Sequence, residues 1–388
     1  MTPELAVDWI ADEAEFLALR ETWNRLAPAA RGRDLFLRHE WFDAAWRWRR
    51  DAGCALRIAL VSRRSDGVVG ICPLVLQQAR HAGLPARSLE FLTVPDTQFC
   101  DVVCDRADAP AVCAALLRAM KACAREWDVL DLRYLPEDAV AAALATPASR
   151  AHFECERSPW DANAYIDLGE SWDAFYGRRS RSLKKANNLA GNRLRKAGGL
   201  ELQWMRGADV SPEHADALLE QLVAVSARSW KADTGLTLDN PRPGAFIRRL
   251  THHAREQGWL SMWCLRLDGK PVAMEYQLAC CGEVFALRAD FDQALETISP
   301  GSYLGVQMLQ QLFASGLRRY WLGPGQNPYK ARWTERSETL YRVVAYSPTV
   351  RGRMHRLNER LVRPAARKVR AALRRAPRAQ PDPAGADK

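Results

Sequence analysis

The order of apolar segments in the first half of this 388-residue chain recurs in its second half. Apolar runs over 56–76 flank a polar loop that ends in Asp66-Gly67, a pattern that predicts a β-hairpin. Apolar runs over 260–281 flank Asp268-Gly269 in the same way. A chain that repeats this order with a period of about 180 residues is predicted to contain two similar structural units.

The segments that follow the two hairpins also correspond. An amphipathic helix predicted over 110–126 leads into a buried strand over 127–132, and a helix over 302–315 leads into a strand over 320–322. The expected fold class is therefore α/β, in the α+β sense of mixed central sheets, with two tandem domains. The expected divisions of the chain are a first domain over 1–155, a second over 156–348, and a basic helix with a disordered tail over 349–388.

Positive charge is concentrated in two segments of the chain. The formal net charge is +10, and Lys and Arg gather over 178–196 and again over 351–378. Such clusters indicate anionic partners, but coenzyme A, tRNA and anionic lipid all carry the required charge. An anionic membrane surface, bound through the Arg-rich tail, is therefore one possible partner.

Compartment and metal content can also be predicted from composition. Acidic residues occupy the N-terminus where a signal peptide would be basic and then apolar, and no apolar run approaches the roughly 18 residues of a membrane span. A soluble, cytoplasmic protein is expected. The ten cysteines form no CxxC pair, and the adjacent His252 and His253 would point about 100° apart on a helix. No metal site is expected.

The segment 284–333 follows the order strand, loop, helix, strand and loop. The turn Ser299-Pro300-Gly301-Ser302 precedes its helix, so the N-terminal amides of the helix face the loop and can bind phosphate. A Walker loop would require a Gly-Lys-Ser/Thr ending, and a dinucleotide site would require GxGxxG after a strand. Neither motif is present, so binding of a nucleoside triphosphate or a dinucleotide is disfavoured.

The loop after the second strand has the spacing Gly323-x-Gly325-x-x-x-Tyr329-Lys330-x-x-Trp333. Together with the Ser-Pro-Gly turn, this spacing resembles acetyltransferases of the GNAT superfamily of the CelD/BcsL type, which are associated with cellulose and exopolysaccharide biosynthesis. Further motifs that carry the resemblance are Phe36-x4-Trp41-x4-Trp46, Cys72-Pro73-Leu74 and the basic segment 178–196. One position departs from the family, because Trp321 stands where its members commonly carry Asp.

The resemblance implies a fold of two GNAT-like domains, laid out as in the FemAB peptidyltransferases. It also implies an N-acyltransferase that uses acetyl-CoA or another acyl-CoA as cosubstrate, bound at the second domain. The pyrophosphate of that cosubstrate would contact the helix N-terminus formed by Pro300, Gly301, Ser302, Tyr303 and Leu304.

Acyl transfer to an amine requires a base, and the departing thiolate benefits from a proton donor. Glu275 is a candidate base if it faces inward among its apolar neighbours, and Asp290 is the alternative. Tyr329 is the candidate donor to the thiolate, and Lys330 is a candidate phosphate contact. Arg288 could bind a carboxylate or phosphate of the substrate.

The basic segment 178–196 contains eight Lys and Arg and no acid, so a helix formed by it cannot neutralise its own charge. Arg181, Lys184 and Lys185 are therefore candidate contacts to an anion. That anion could be the 3′-phosphate of coenzyme A, a sugar nucleotide acceptor or tRNA.

The expected acceptor is the amine of a small molecule or glycan precursor, such as an amino sugar. Two other functions remain open. The first is a FemAB-like transferase that uses aminoacyl-tRNA. The second is a non-catalytic accessory protein of a polysaccharide synthase, which would be held on an anionic membrane by the Arg-rich tail.

Overall fold

The structure is a computed structural model that describes residues 5–27, 32–64, 66–81, 83–146 and 153–362. Its strands are β1 (Ala6–Ile10), β2 (Ala55–Leu56), β3 (Ile58–Arg63), β4 (Gly67–Cys72), β5 (Leu74–His81), β6 (Leu84–Phe91), β7 (Val103–Cys104), β8 (Val129–Leu135), β9 (Cys155–Asp167), β10 (Leu200–Arg206), β11 (Leu260–Leu267), β12 (Lys270–Cys280), β13 (Glu283–Phe291), β14 (Arg319–Pro324) and β15 (Ser337–Tyr346).

Its α-helices are α1 (Glu13–Ala18), α2 (Arg20–Leu26), α3 (His39–Arg50), α4 (Ala109–Ala122), α5 (Trp172–Gly177), α6 (Arg181–Ala197), α7 (Pro212–Ala227), α8 (Pro241–Glu256), α9 (Pro300–Ala314), α10 (Pro328–Trp333) and α11 (Val350–Leu357). Short 3-10 helices cover Gly32–Leu37, Val140–Ala145, Ala232–Thr234 and Gln293–Ile298. A π-helical turn covers Asn358–Val362.

One large mixed sheet runs through both halves of the molecule. Its eleven strands lie in the order β10-β11-β12-β13-β14-β9-β15-β8-β6-β5-β2, and a smaller sheet has the order β1-β3-β4-β7. In the large sheet β6 pairs in parallel with β8, and β13 with β14, while the strands around them pair antiparallel. The predicted mixed α/β class is confirmed.

The predicted repeat has a counterpart in the topology. In the first half, β5 runs antiparallel to β6, and the chain returns through α4 to β8, which is parallel to β6. In the second half, β12 runs antiparallel to β13, and the chain returns through α9 to β14, which is parallel to β13. The two helices therefore occupy corresponding crossover connections.

Each half contributes its last strand to the sheet of the other half. Strand β9 follows β8 in the chain but pairs with β14, whereas β15 follows β14 but pairs with β8. The two exchanged strands also pair with each other, from Ser337 opposite Ala164 to Ala345 opposite Cys155. This exchange makes one continuous sheet of the two repeats. The domain boundaries at 155 and 348 stay a prediction.

Pro73 divides the first hairpin between two sheets. Strand β4 ends at Cys72 and pairs with β3 in the small sheet, whereas β5 begins at Leu74 and pairs with β6 in the large sheet. Proline has no N–H to donate, so it interrupts a strand ladder. The corresponding strand of the second half, β12, runs unbroken within the large sheet.

Three predicted elements differ in detail from the observed ones. Apolar periodicity predicts a single helix over 13–26, but the structure divides this segment at Leu19 into α1 and α2. The sequence also predicts a helix over 137–144, and the structure has a 3-10 helix at Val140–Ala145, which begins where the Asp101 carboxylate accepts two backbone N–H groups. In the predicted basic segment 349–388, Val350–Leu357 form α11, and residues 363–388, which include most of the predicted helix and tail, lie outside the described residues.

Within the described part of the chain, no helix is both long and apolar enough to cross a membrane. The same residues contain no group of three or more His, Cys, Asp or Glu side chains that could hold a metal ion.

Candidate functional site

Strands β13 and β14 separate soon after they begin to pair. Their parallel ladder covers only Glu283–Phe285 and Arg319–Trp321. Beyond it, the buried Gln98 of the first half donates Nε2 to the carbonyl of Ala286 at 2.8 Å, and Asn163 Nδ2 donates to Gln98 Oε1 at 3.1 Å. The Gln98 amide thus satisfies a strand carbonyl that β14 no longer reaches.

A cavity of about 470 Å³ lies next to this separation, and we refer to it as the β13–β14 cavity. Its walls come from β12, β13, β14, α10, the N-terminal part of α9 and the segment after α7 that contains Trp230 and Lys231. The residues predicted from the sequence that line it are Glu275, Asp290, Gly301, Ser302, Leu304, Tyr329 and Lys330. Distant parts of the sequence therefore meet at one cavity.

The Ser-Pro-Gly turn forms the N-terminus of α9 at the edge of the cavity. Ser299 adopts the left-handed conformation with φ of 56°, and Pro300 takes the first helical position, where its missing N–H costs nothing. The amides of Ser302 and Tyr303 both approach the Ser299 carbonyl, at 3.2 and 3.3 Å. A β-carbon on Gly301 would lie 3.1 Å from the Phe291 ring, so this position favours glycine.

Glu275 faces the cavity and is only 5% exposed. Burial raises the pKa of its carboxyl to about 7, although hydrogen bonds from Tyr320 and Gln277 oppose that rise by stabilising the ionised form. Tyr320 donates its hydroxyl to Oε1 at 2.5 Å, and Gln277 donates Nε2 to the same oxygen at 2.7 Å. A carboxyl with this pKa exchanges protons readily near neutral pH.

The orientation of Gln277 is fixed by donors behind it. Its Oε1 accepts from the Trp263 indole N–H and from the Ser261 hydroxyl, both at 3.0 Å. An indole N–H can only donate, so the amide oxygen must face Trp263 and the amide nitrogen must face Glu275. Neither Gln277 nor Tyr320 is among the site residues predicted from the sequence. Period-two alternation could have placed Gln277 on the same face of β12 as Glu275.

Tyr329 lies across the cavity on the first turn of α10. The residue is 46% exposed, but its hydroxyl reaches α9, where a β-carbon on Gly305 would come within 3.0 Å of it. Burial around the hydroxyl and the nearby Glu275 carboxylate raise the pKa of the Tyr329 phenol. This phenol therefore keeps its proton and can donate a hydrogen bond into the cavity.

Lys330 is turned toward its own loop. Its ammonium donates to the carbonyls of Gly323, Pro324 and Gly325 at 2.7, 2.8 and 2.9 Å. Burial lowers the pKa of Lys330 to about 8. These hydrogen bonds hold the loop that leads from β14 to α10. The sequence instead predicts that Lys330 contacts a phosphate.

Asp290 and Arg288 are both buried and both engaged by protein groups. Asp290 forms an ion pair with Lys231 at 2.6 Å and accepts the Ser226 hydroxyl at 2.8 Å. Arg288 forms an ion pair with Asp96 at 2.5 Å. Of the two predicted base candidates, Glu275 is the one without a cationic partner among the contacts of the described residues.

The basic helix α6 approaches the α9 turn with its C-terminal end. Arg193 donates to the Thr297 carbonyl at 2.7 Å, and Arg193 and Lys196 border an open recess of about 530 Å³ beside Thr297 and Ile298. Arg181 is twelve residues from Arg193 in the sequence, which is about 18 Å along a helix.

The predicted anion contacts lie toward the other end of the same helix. Arg181 and Lys185 are exposed, and Lys184 donates to the Gly177 carbonyl at 2.5 Å. Net charge could identify the basic helix, but only the packing of α6 on α9 shows which end meets the turn.

Trp321, at the position where the sequence departs from the CelD/BcsL pattern, is fully packed in the core. It is 1% exposed and donates its indole N–H to Glu283 at 2.8 Å. Its neighbour Tyr320 instead reaches the cavity, because successive residues on a strand point to opposite faces of the sheet. The carboxylate of the cavity comes from Glu275 on β12.

A crossover helix beside two parallel strands that separate around a cavity is the arrangement of an acyltransferase-type α/β fold. In agreement with this geometry, residues 178–331 match the family described as "Acetyltransferase (GNAT) domain". The matched residues include all that line the β13–β14 cavity. No curated protein matches the chain in sequence.

Solved structures resemble the chain over most of its length. They include the C-terminal domain of a putative lysylphosphatidylglycerol synthetase from Agrobacterium fabrum, with a TM-score of 0.52 and 14% identity over 90% of this chain and 98% of that chain. FemX has a TM-score of 0.51 and 11% identity over 83% and 95% of the respective chains. L-PGS from Bacillus licheniformis has a TM-score of 0.50 and 14% identity over 91% and 97%. At these identities the likeness concerns the fold.

Proposed function

We propose that this protein is an acyl-CoA-dependent N-acyltransferase that transfers an acetyl group from acetyl-CoA to an amine. The observation that carries the proposal is Glu275, a buried carboxyl with a pKa of about 7 on the wall of a cavity within the matched acetyltransferase domain. A buried carboxyl that faces a cavity and has a raised pKa is a candidate general base.

The cavity has a suitable place for each part of an acyl-CoA. The first turn of α9 offers the Gly301 N–H and the positive end of the helix dipole to the pyrophosphate, since the Ser302 and Tyr303 amides contact the Ser299 carbonyl. Arg193 and Lys196, next to the same turn, offer positive charge to the 3′-phosphate. The separation of β13 and β14 leaves room for the acyl chain and its thioester.

The chemistry then assigns a role to each polar group of the cavity. The amine nitrogen attacks the thioester carbon and forms a C–N bond, and Glu275 accepts the proton that the nitrogen loses. The C–S bond breaks as the tetrahedral intermediate collapses. Tyr329 stabilises the leaving sulfur by a hydrogen bond, and the proton held by Glu275 returns to the thiolate, so the charges balance.

An amino sugar or another glycan precursor is the proposed acceptor class, in keeping with the resemblance to CelD/BcsL-type acetyltransferases. Trp230 borders the cavity and is 61% exposed, so its indole offers a broad face to an incoming ring. Lys231 lies beside it and is neutralised by Asp290, which favours an acceptor without a large negative charge at that point.

Isothermal titration with acetyl-CoA tests the proposal. The wild type should bind, and Gly301→Trp should abolish binding because the new side chain collides with Phe291 and blocks the turn. Gly169→Trp is the matched control, since a β-carbon at Gly169 meets no atom within 4 Å. Absence of binding by the wild type, or undiminished binding by Gly301→Trp, would contradict the proposal.

The second candidate function is transfer from aminoacyl-tRNA, favoured by the exposed Lys and Arg of α6. Transfer that stops after RNase treatment, with no transfer from acetyl-CoA alone, would establish this alternative. If neither donor supported transfer or bound to the protein, a non-catalytic accessory role would account for the chain better.

A further inference from the structure

Helix α11 packs on the body of the protein through one narrow face. Gly352 lies so close to the Ser347 backbone that a β-carbon there would collide, and His355 is 4% exposed. Thr349 caps the helix by accepting the Gly352 N–H at its hydroxyl. Arg356 pairs with Glu154 near the start of β9, so the orientation of α11 is fixed.

The opposite face of α11 presents apolar side chains to the solvent. Val350, Met354 and Leu357 are 75%, 58% and 57% exposed. Their spacing of four and then three residues places them in one stripe along the helix. A surface helix of a globular protein normally carries polar residues on this face, so packing within the protein does not explain the stripe.

The stripe lies at the start of a strongly basic part of the sequence. Residues 351–378 contain eleven Lys and Arg and a single acid, Glu359. The formal net charge of this segment, +10, is therefore as large as that of the whole protein. On the helix itself, Arg353 is exposed between Val350 and Met354. The exposed face of α11 therefore presents apolar side chains together with the Arg353 cation.

We propose that the outward face of α11, formed by Val350, Arg353, Met354 and Leu357, binds the surface of an anionic phospholipid bilayer. At a bilayer surface, lipid phosphates can pair with Arg side chains. The acyl chains just beneath them can receive Val350, Met354 and Leu357. RNA offers the charge but no apolar phase. The combination therefore selects lipid, and it would place the enzyme next to acceptors at a membrane surface.

Co-sedimentation of the full chain with phospholipid vesicles tests this proposal. We expect binding to vesicles of mixed phosphatidylcholine and phosphatidylglycerol, weak binding to pure phosphatidylcholine, and loss of most binding at about 0.5 M salt. The double variant Met354→Ser/Leu357→Ser should reduce the partition coefficient on the anionic vesicles at least about tenfold. Arg353→Glu should reduce binding to the anionic vesicles only.

Leu84→Ser is the matched control, because Leu84 is another exposed leucine, 40% exposed, in a part of the first half remote from α11 in sequence. It should bind vesicles like the wild type. All variants should keep the thermal midpoint of the wild type, because the altered side chains are exposed.

Three results would overturn the proposal. Equal binding to neutral and anionic vesicles would show that charge does not contribute to binding. Full binding by the double variant would show that the apolar stripe does not contribute to binding. A double variant that turned a wild-type dimer into a monomer in light scattering, with vesicle binding unchanged, would show that a second copy of the chain covers this face.

Discussion

The Tyr320 hydroxyl lies 2.5 Å from Oε1 of Glu275, and both side chains are buried on the wall of the β13–β14 cavity. Tyr320 comes from β14 and Glu275 from β12, so the bond spans the intervening strand β13. Burial favours the protonated carboxyl, whereas the tyrosine hydrogen bond favours the carboxylate. The balance between these two effects sets the pH at which Glu275 becomes a base.

Tyr320→Phe should therefore move the pH dependence of acyl transfer. Loss of the hydrogen bond removes an interaction that lowers the pKa of Glu275, so this pKa should rise by about one unit above its value in the wild type. The acid limb of kcat/KM against pH should shift upward by the same amount, while acetyl-CoA affinity stays unchanged. A lower activity at every pH with an unshifted limb would mean that Tyr320 acts in another way.

Glu275→Gln should remove the base and leave the cosubstrate site intact. We expect kcat to fall by about 10²–10⁴-fold, the usual contribution of a positioned base, and the remaining activity to lose its acid limb. Calorimetry should give the wild-type affinity for acetyl-CoA. Asp290→Asn is the comparison variant: if it lost the acid limb and Glu275→Gln kept it, Asp290 would be the base.

The same Glu275→Gln variant should become more stable relative to the wild type as the pH rises. The pKa of Glu275 is about 7 in the folded protein against 4.5 for the unperturbed group, so ionisation above pH 4.5 favours the unfolded wild type. Glutamine does not ionise. The difference in free energy of unfolding between variant and wild type should grow by about 3 kcal/mol from pH 4.5 to pH 8. Urea unfolding at both pH values measures this change, and a constant difference would exclude the raised pKa.

Much of the fold could be predicted from the sequence, because apolar periodicity and turn residues act locally. The hairpin around Asp268-Gly269 and the helix after Pro300 both form where the pattern placed them. The exchange of β9 and β15 could not be predicted, because strand pairing between distant segments leaves no local pattern. The single eleven-stranded sheet follows from that exchange.

The candidate site was predictable to a similar extent. The Ser-Pro-Gly turn and Glu275 both border the cavity, because a helix N-terminus and an inward carboxyl have local signals. Gln98 could not be found, since its role depends on insertion from the other half of the chain. For the same reason the partners of Arg288 and Lys330 were not visible in the sequence, although both residues were singled out by charge.

Gly305→Ala should separate stability from activity. The alanine methyl would lie 3.0 Å from the Tyr329 hydroxyl, so the phenol must move by a few tenths of an ångström. Alanine is a better helix former than glycine by about 1 kcal/mol, so the thermal midpoint should rise or stay the same. In contrast, kcat should fall about tenfold because the tyrosine is displaced from the reacting sulfur.

A double-variant cycle checks this assignment to Tyr329. In a Tyr329→Phe background the hydroxyl is already absent, so Gly305→Ala should cause no further loss of kcat. An additive loss would show that the added methyl acts on the cavity by a route that does not involve the Tyr329 hydroxyl.

Asp96 and Arg288 link the two halves by a buried ion pair, which gives a last test of what Arg288 does. Arg288 Nε lies 2.5 Å from one carboxylate oxygen of Asp96, and Nη2 donates to the other at 2.6 Å. Asp96→Asn would leave the guanidinium buried without a countercharge, at a cost of about 3–5 kcal/mol in the free energy of unfolding. Replacing both residues, as Asp96→Asn/Arg288→Met, should recover much of that loss, because no buried charge then remains unpaired.

Urea unfolding measures the stability of these variants, and steady-state kinetics measures KM for the acceptor. A small loss of stability in Arg288→Met together with a large rise in KM would instead support the substrate-binding role that the sequence suggested for this arginine.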